Sequence, residues 1–194
     1  GKTVAVRLPR WEFNRFAGET ARLDARMKST GAVMGLGRCL PEAIQAAMRS
    51  RSPKHPLPGL HPDLIPLPLA ELMRLLVLPS PQRLDELIEA LKKGARPRDV
   101  STAVCIDEKW MHELDRLANL EIQLADLKDQ QPAADLLKKA ADAGYTGDGL
   151  ARLLDMSGTE AARLLDANGI HTRPHASGGD KHPRVWFQAA GDNS

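Results

Sequence analysis

From residue 80 onward the chain reads as short amphipathic segments, most of them closed by a glycine, and this pattern restricts the fold class more than any other feature. In SPQRLDELIEALKKG, Leu84, Leu87, Ile88 and Leu91 recur at helical spacing. Ser80 stands as the N-cap, Pro81 as the first helical residue and Gly94 as the stop. RPRDVSTAVC predicts a second, short helix. The stretch after Ile106 predicts the longest, over 107–129, with Asp107 as its N-cap. PAADLLKKAADAG, TGDGLARLLD and SGTEAARLLDANG predict three more, the last stopped at Asn168-Gly169. A mainly α fold follows, with an all-helical domain over 80–170.

Part of this region matches itself when Gly94 is laid on Gly144. Leu87 then meets Leu137, Ala90 meets Ala140, Val100 meets Leu150, Val104 meets Leu154, Ile106 meets Met156 and Leu114 meets Leu164. Two readings stand: an internal pseudo-symmetry of paired helical units, or a chance resemblance between short amphipathic helices. Two copies are too few for a solenoid.

The front of the chain is different. TVAVRL, residues 3–8, predicts a strand, and PRWEFNRFAG after it a loop broken by Pro9 and Gly18. GAVMGLG, residues 31–37, predicts a second strand whose glycines point to close packing under another element. Pro41 opens a helix with Ile44, Ala47 and Met48 on one face. Two strands and a helix cannot bury a core alone, so residues 1–51 read as the end of something larger. Six prolines in residues 52–68 predict an extended linker, and LAELMRLLVL, 69–78, a short helix. Residues 171–194 read as a flexible tail, with one short strand at 184–188.

Composition narrows the function classes. Charged residues are 27% and aromatics 4%, so a globular core must be built from Leu, Ala, Val and Met. No apolar run approaches the roughly 20 residues of a membrane span, and the start lacks the apolar stretch of a signal peptide. Cys39 and Cys105 form no CxxC, and two buried thiols in a reducing, cytoplasmic setting are expected. Residues 1–51 hold 10 Lys and Arg against 4 Asp and Glu, whereas residues 80–170 hold 12 against 17. The acidic piece is therefore a poor nucleic-acid binder.

The front carries a long motif. VRLPRWEFNRFAG followed by RLDARMKSTGAVMGLGR resembles the end of the first synthetase half of the carbamoyl phosphate synthetase large subunit. The matching positions include Pro9, Arg10, Phe13, Phe16, Gly18, Met27, Lys28, Ser29, Gly31, Val33, Met34, Gly37 and Arg38. Residues 82–170 resemble the helical oligomerisation domain that follows in that family, through Gly94, IDEKW, LANLEIQL, GYT and GIH. The chain departs from the family at Arg7, at Ala32 and after His171.

The resemblance implies four parts. Residues 1–51 would be a β-β-α remnant of the carboxyphosphate ATP-grasp (α+β) domain, and 52–79 a linker with a short helix. Residues 80–170 would be the oligomerisation domain and 171–194 the tail. The family makes carbamoyl phosphate from bicarbonate, glutamine-derived ammonia and two ATP, for pyrimidine and arginine biosynthesis. It uses ATP with Mg or Mn, and potassium. Its nucleotide and metal ligands lie upstream of the matched segment. No cofactor, metal or catalytic residue is therefore expected in this chain, which should be inactive alone. The implied partners are further copies of the chain, the rest of the large subunit and the glutaminase small subunit, with no nucleic acid and no membrane.

Three rival readings accompany this. Arg7, Arg10, Lys28 and Arg38 could approach a phosphate or anchor the basic end-piece. His171, His175, His182 and Asp180 could hold a metal or belong to a solvated tail. The helix pairs could be a helix-turn-helix DNA reader, but 157–167 offers only Arg163 to bases, beside Glu160 and Asp166. The long helix carries apolar residues beyond one stripe, at Leu120, Ile122, Leu124 and Leu127. These are the expected interface of a homo-oligomer, most simply a two-fold dimer; the alternative is that residues 1–79 cover this face within one chain.

Overall fold

The computed structural model describes residues 3–11, 13, 23, 28–51, 57, 59–127 and 130–171. The expected strand at 184–188 lies outside them, as do His175, Asp180 and His182. Two strands, β1 (Val4–Trp11) and β2 (Ser29–Gly37), are followed by α1 (Leu40–Arg51) and α2 (Leu69–Leu75). Then come α3 (Arg83–Lys92), α4 (Pro97–Val104), α5 (Glu108–Ala125), α6 (Ala134–Asp142), α7 (Gly147–Leu153) and α8 (Gly158–Ala167).

The strands pair antiparallel, from Val4 opposite Gly37 to Trp11 opposite Ser29, with an irregularity after Arg10. β1 runs through Pro9, where a loop was expected. A proline is tolerated there because a strand of a two-stranded sheet has a free edge on which a missing N–H costs nothing. The inner face receives α1. A Cβ on Gly35 would overlap the Ala43 carbonyl oxygen and the Ala47 nitrogen, so only glycine lets α1 lie this close. The outer face shows Arg7, Met34 and Leu36 to solvent.

The helical half is built twice. Gly94 and Gly144 both end a helix with left-handed backbone, at φ +86° and +90°. The next residue's N–H returns to the carbonyl five residues back in each copy, Ala95 to Ala90 and Tyr145 to Ala140, both at 3.0 Å. The second turn also matches. Cys105 and Asp155 are the two described non-glycine residues with positive φ, 55° and 54°, at the same offset. Ile106 N–H bonds Ser101 and Met156 N–H bonds Ala151. Leu87 and Leu137, Ala90 and Ala140, and Val100 and Leu150 are all buried. The matched burial and turn geometry favour pseudo-symmetry over chance.

Several expectations need correcting. α3 begins at Arg83, not Pro81, and Ser80 donates its hydroxyl to Glu86 Oε1 at 2.5 Å instead of capping the helix. α5 stops at Ala125, although Asp107 caps it as expected by accepting from Lys109 N–H. The Pro-rich segment is partly packed: Leu57, Gly59 and Leu64 are buried, while Pro62, Asp63, Ile65 and Pro66 face solvent. Leu57 and Leu64 are 4% and 6% exposed, and Gly59 N–H bonds Asp85 Oδ1 at 3.0 Å. Cys105 is exposed and Cys39 half-buried, so two buried thiols are not what the fold contains.

Candidate association surface

A surface can recruit a partner only if the scaffold beneath it is fixed, and here a buried ionic cluster does the fixing. Glu121 of α5 is 1% exposed. It pairs through Oε2 with Lys92 Nζ from α3 and accepts from the Tyr145 hydroxyl at 2.5 Å through Oε1. Lys92 also reaches Glu89 Oε1 at 3.3 Å and donates to the Gly59 carbonyl at 3.0 Å. Gln45 of α1 is fully buried beside the tyrosine. Burial raises the Glu121 carboxyl above its usual range, and Lys92 and Tyr145 pull it back. Burial and the Glu121 charge raise the Tyr145 hydroxyl well above its own. The cluster thus ties α3, α5, the α6–α7 turn and the Pro-rich segment together. A buried charge left without its partner would be costly.

A second joint holds α1 to the α6–α7 turn. Arg49 Nη1 donates to the Gly144 carbonyl at 2.9 Å, and Arg38 Nη2 lies 3.6 Å from Asp142 Oδ1. Arg38 also donates twice to Glu42, from N at 2.6 Å and from Nε at 3.1 Å. Arg10 donates to the Ser50 carbonyl at 3.1 Å, joining β1 to the end of α1. Arg38 and Arg10 thus act as internal clasps. Arg7 is exposed and Lys28 is buried. Among the described residues no group of three His, Cys, Asp or Glu could hold a metal ion. His171 lines a small polar hollow with Arg38, Arg49 and Thr146. No helix among the described residues is long and apolar enough to cross a membrane.

The four expected interface residues separate. Leu124 is 0% exposed and belongs to the chain's own core, so it is unavailable to a partner; the surplus stripe on α5 is narrower than the sequence suggested. Leu120 and Leu127 are half-buried against that core, and Ile122 is half-buried. Leu120 borders an apolar groove with Pro41, Leu117 and Ala143.

The most exposed apolar side chains lie elsewhere. Val77 is 66% exposed, Leu78 59%, Ile65 48% and Leu75 38%, at or next to α2, and Met34 61% and Leu36 47% on the outer face of the sheet. Ile106 and Trp110 stand out at the start of α5. The α2 cluster was legible in principle. Leu75 to Leu78 is an unbroken apolar run, and a helical turn cannot direct four successive side chains inward.

Comparison with known proteins agrees with this architecture. Residues 32–169 match the family model described as the carbamoyl-phosphate synthetase large chain, oligomerisation domain. The chain is 32% identical over 168 residues to the carbamoyl phosphate synthase arginine-specific large chain of Bacillus subtilis. That match covers 86% of this chain and 16% of the relative. It is 35% identical over 182 residues to the large chain of Xanthomonas campestris pv. campestris, covering 88% and 16%. Against the human mitochondrial carbamoyl-phosphate synthase [ammonia] it is 26% identical over 175 residues, covering 87% and 11%. The chain therefore spans about a sixth or less of the length of these relatives. With the matched model covering most of its residues, the chain belongs to the carbamoyl-phosphate synthetase large chain oligomerisation domain family.

Proposed function

We propose that this chain is a scaffold segment of a carbamoyl phosphate synthase large chain, serving subunit association and contributing no catalytic residue. The observation that carries the reading is the set of large apolar side chains left in solvent, on a scaffold fixed by buried charges and matched by an oligomerisation family. Apolar surface of this kind gains free energy by being covered. The partners are further copies of the chain, in the simplest case a two-fold dimer, together with the rest of the large subunit and the glutaminase small subunit. The setting is the reducing cytoplasm. Purified alone, the chain neither hydrolyses ATP nor makes carbamoyl phosphate. Sedimentation velocity of the 194-residue chain tests the association. A mass that rises with concentration supports it, and a monomer up to about 200 μM, where even weak contacts form, overturns it. ATP turnover tracking with the purified chain would overturn the non-catalytic part.

The flank of α5 is a second reading, favoured by the groove beside Leu120. There Leu120, Ile122 and Leu127 would carry the contact. Leu120→Lys or Leu127→Lys, in a variant that keeps its helical circular dichroism, should then abolish association. A nucleic-acid role has less support. α8 spends Ser157 and Glu160 on its own capping box and leaves Arg163 as its one basic side chain.

A further inference from the structure

The association reading leaves the contact itself open, and α2 supplies a specific candidate. Two leucines seat this helix. Leu72 and the C-cap residue Leu76 are both 0% exposed, and both belong to the core. The opposite side is left in solvent. Glu71, Arg74, Leu75 and Leu78 follow at i, i+3, i+4 and i+7, which places them on one face. The turn after α2 tightens to bonds three residues apart, Val77 N–H to the Arg74 carbonyl and Leu78 N–H to the Leu75 carbonyl, which keeps Leu78 over Leu75.

The charges on this face choose the partner. Glu71 and Arg74 are 4.0 Å apart with side chains 49% and 81% exposed, so both stand largely in water beside the apolar cluster. A membrane surface would call for clustered cations, and this face holds one charge of each sign. An acidic or basic peptide would find one of the two charges opposed to it. A second copy of the same face, turned antiparallel, meets neither objection: Glu71 of each copy lies opposite Arg74 of the other. The helix is only about 10 Å long at 1.5 Å per residue, so the contact is small, and a weak, reversible association is expected.

Resting on the association reading, we propose that the α2 face bearing Leu75 and Leu78 is a two-fold contact between copies of this chain, with Glu71 and Arg74 paired across it. Charge reversal provides the test. Glu71→Arg places four arginines at the contact, and Arg74→Glu places four glutamates there. Each single variant should bind itself at least about tenfold more weakly in sedimentation velocity, a shift of roughly 1.4 kcal/mol. The double variant Glu71→Arg/Arg74→Glu should regain self-association. An equimolar mixture of the two single variants should form the heterodimer that neither makes alone. Leu78→Asp should weaken association with no change in circular dichroism, since Leu78 is mostly in solvent. If the single variants associate like the unaltered chain, or the mixture does no better than its parts, the contact is overturned while the association reading stands. If the unaltered chain stays monomeric, both fall.

Discussion

The duplicated turns provide an internal control that few chains offer. Gly94 and Gly144 hold nearly the same backbone, φ +86° and +90°, in equivalent turns. Their surroundings differ. A Cβ on Gly94 meets nothing within 4 Å, whereas one on Gly144 would lie 2.8 Å from Glu42 Cα in α1. Gly94→Ala therefore carries left-handed strain alone, about 1–2 kcal/mol. Stiffening of the unfolded chain changes the total by about 0.4–1 kcal/mol, leaving a net effect near 1 kcal/mol. Gly144→Ala carries the same strain and an overlap with a helix backbone atom that cannot swing aside. Overpacking of this kind adds about 1–3 kcal/mol. The second variant should thus lose roughly 2–4 kcal/mol, and with it the Arg49 bond to the Gly144 carbonyl. Urea unfolding of both variants against the unaltered chain measures the difference. Equal losses, or a larger one at Gly94, would refute the claim that α1 is seated on the α6–α7 turn.

Other expectations are as direct. Gly35→Ala should separate α1 from the sheet at a cost of roughly 2 kcal/mol or more; hydrogen exchange should quicken in β1 and β2 first, and unchanged protection there would contradict the close approach. Tyr145→Phe removes one donor from buried Glu121 and should cost about 1–3 kcal/mol in urea unfolding; a neutral result would mean that the bond contributes nothing net. Burial raises the Glu121 carboxyl in the fold, so its favourable share is fully present below the unfolded value near 4.5 and is lost as pH rises through the folded value. Compared with Glu121→Gln, which does not titrate, the unaltered chain should gain relative stability on going from pH 7 towards 4.5, and a constant difference across that range would show no such shift.

Much of this molecule was legible as periodicity. Leu84 to Leu91, the Asp107 cap and the glycine stops placed the helices to within a few residues, because local spacing and capping decide where helices begin and end. The glycines of β2 foretold a close neighbour, and Gly35 shows which one. Two of the failures depended on contacts between distant segments. Proline content said nothing of Leu57 and Leu64, which fill gaps in a core made by other elements. Leu124 resembled surface surplus until the fold supplied its neighbours. The left-handed turns at Cys105 and Asp155 are written without glycine, so no residue type announced them.

The exposure of α2 follows from this architecture. The second helical unit receives α1, through the Gly144 turn, Arg49 and Asp142. The first receives α2, which packs on α3 through Leu72 and Leu76. α1 is covered on its far side as well, because β1 and β2 lie across it. Among the described residues α2 has no such cover, and its outer side chains stay in water. A short helix that carries Leu75 and Leu78 outward loses the burial energy of two side chains, each worth about 1.5–3 kcal/mol when fully covered. One with a polar outer face would seat equally well through Leu72 and Leu76. The apolar choice is unnecessary for the fold of one copy, and it gains a physical reason once a second copy covers it.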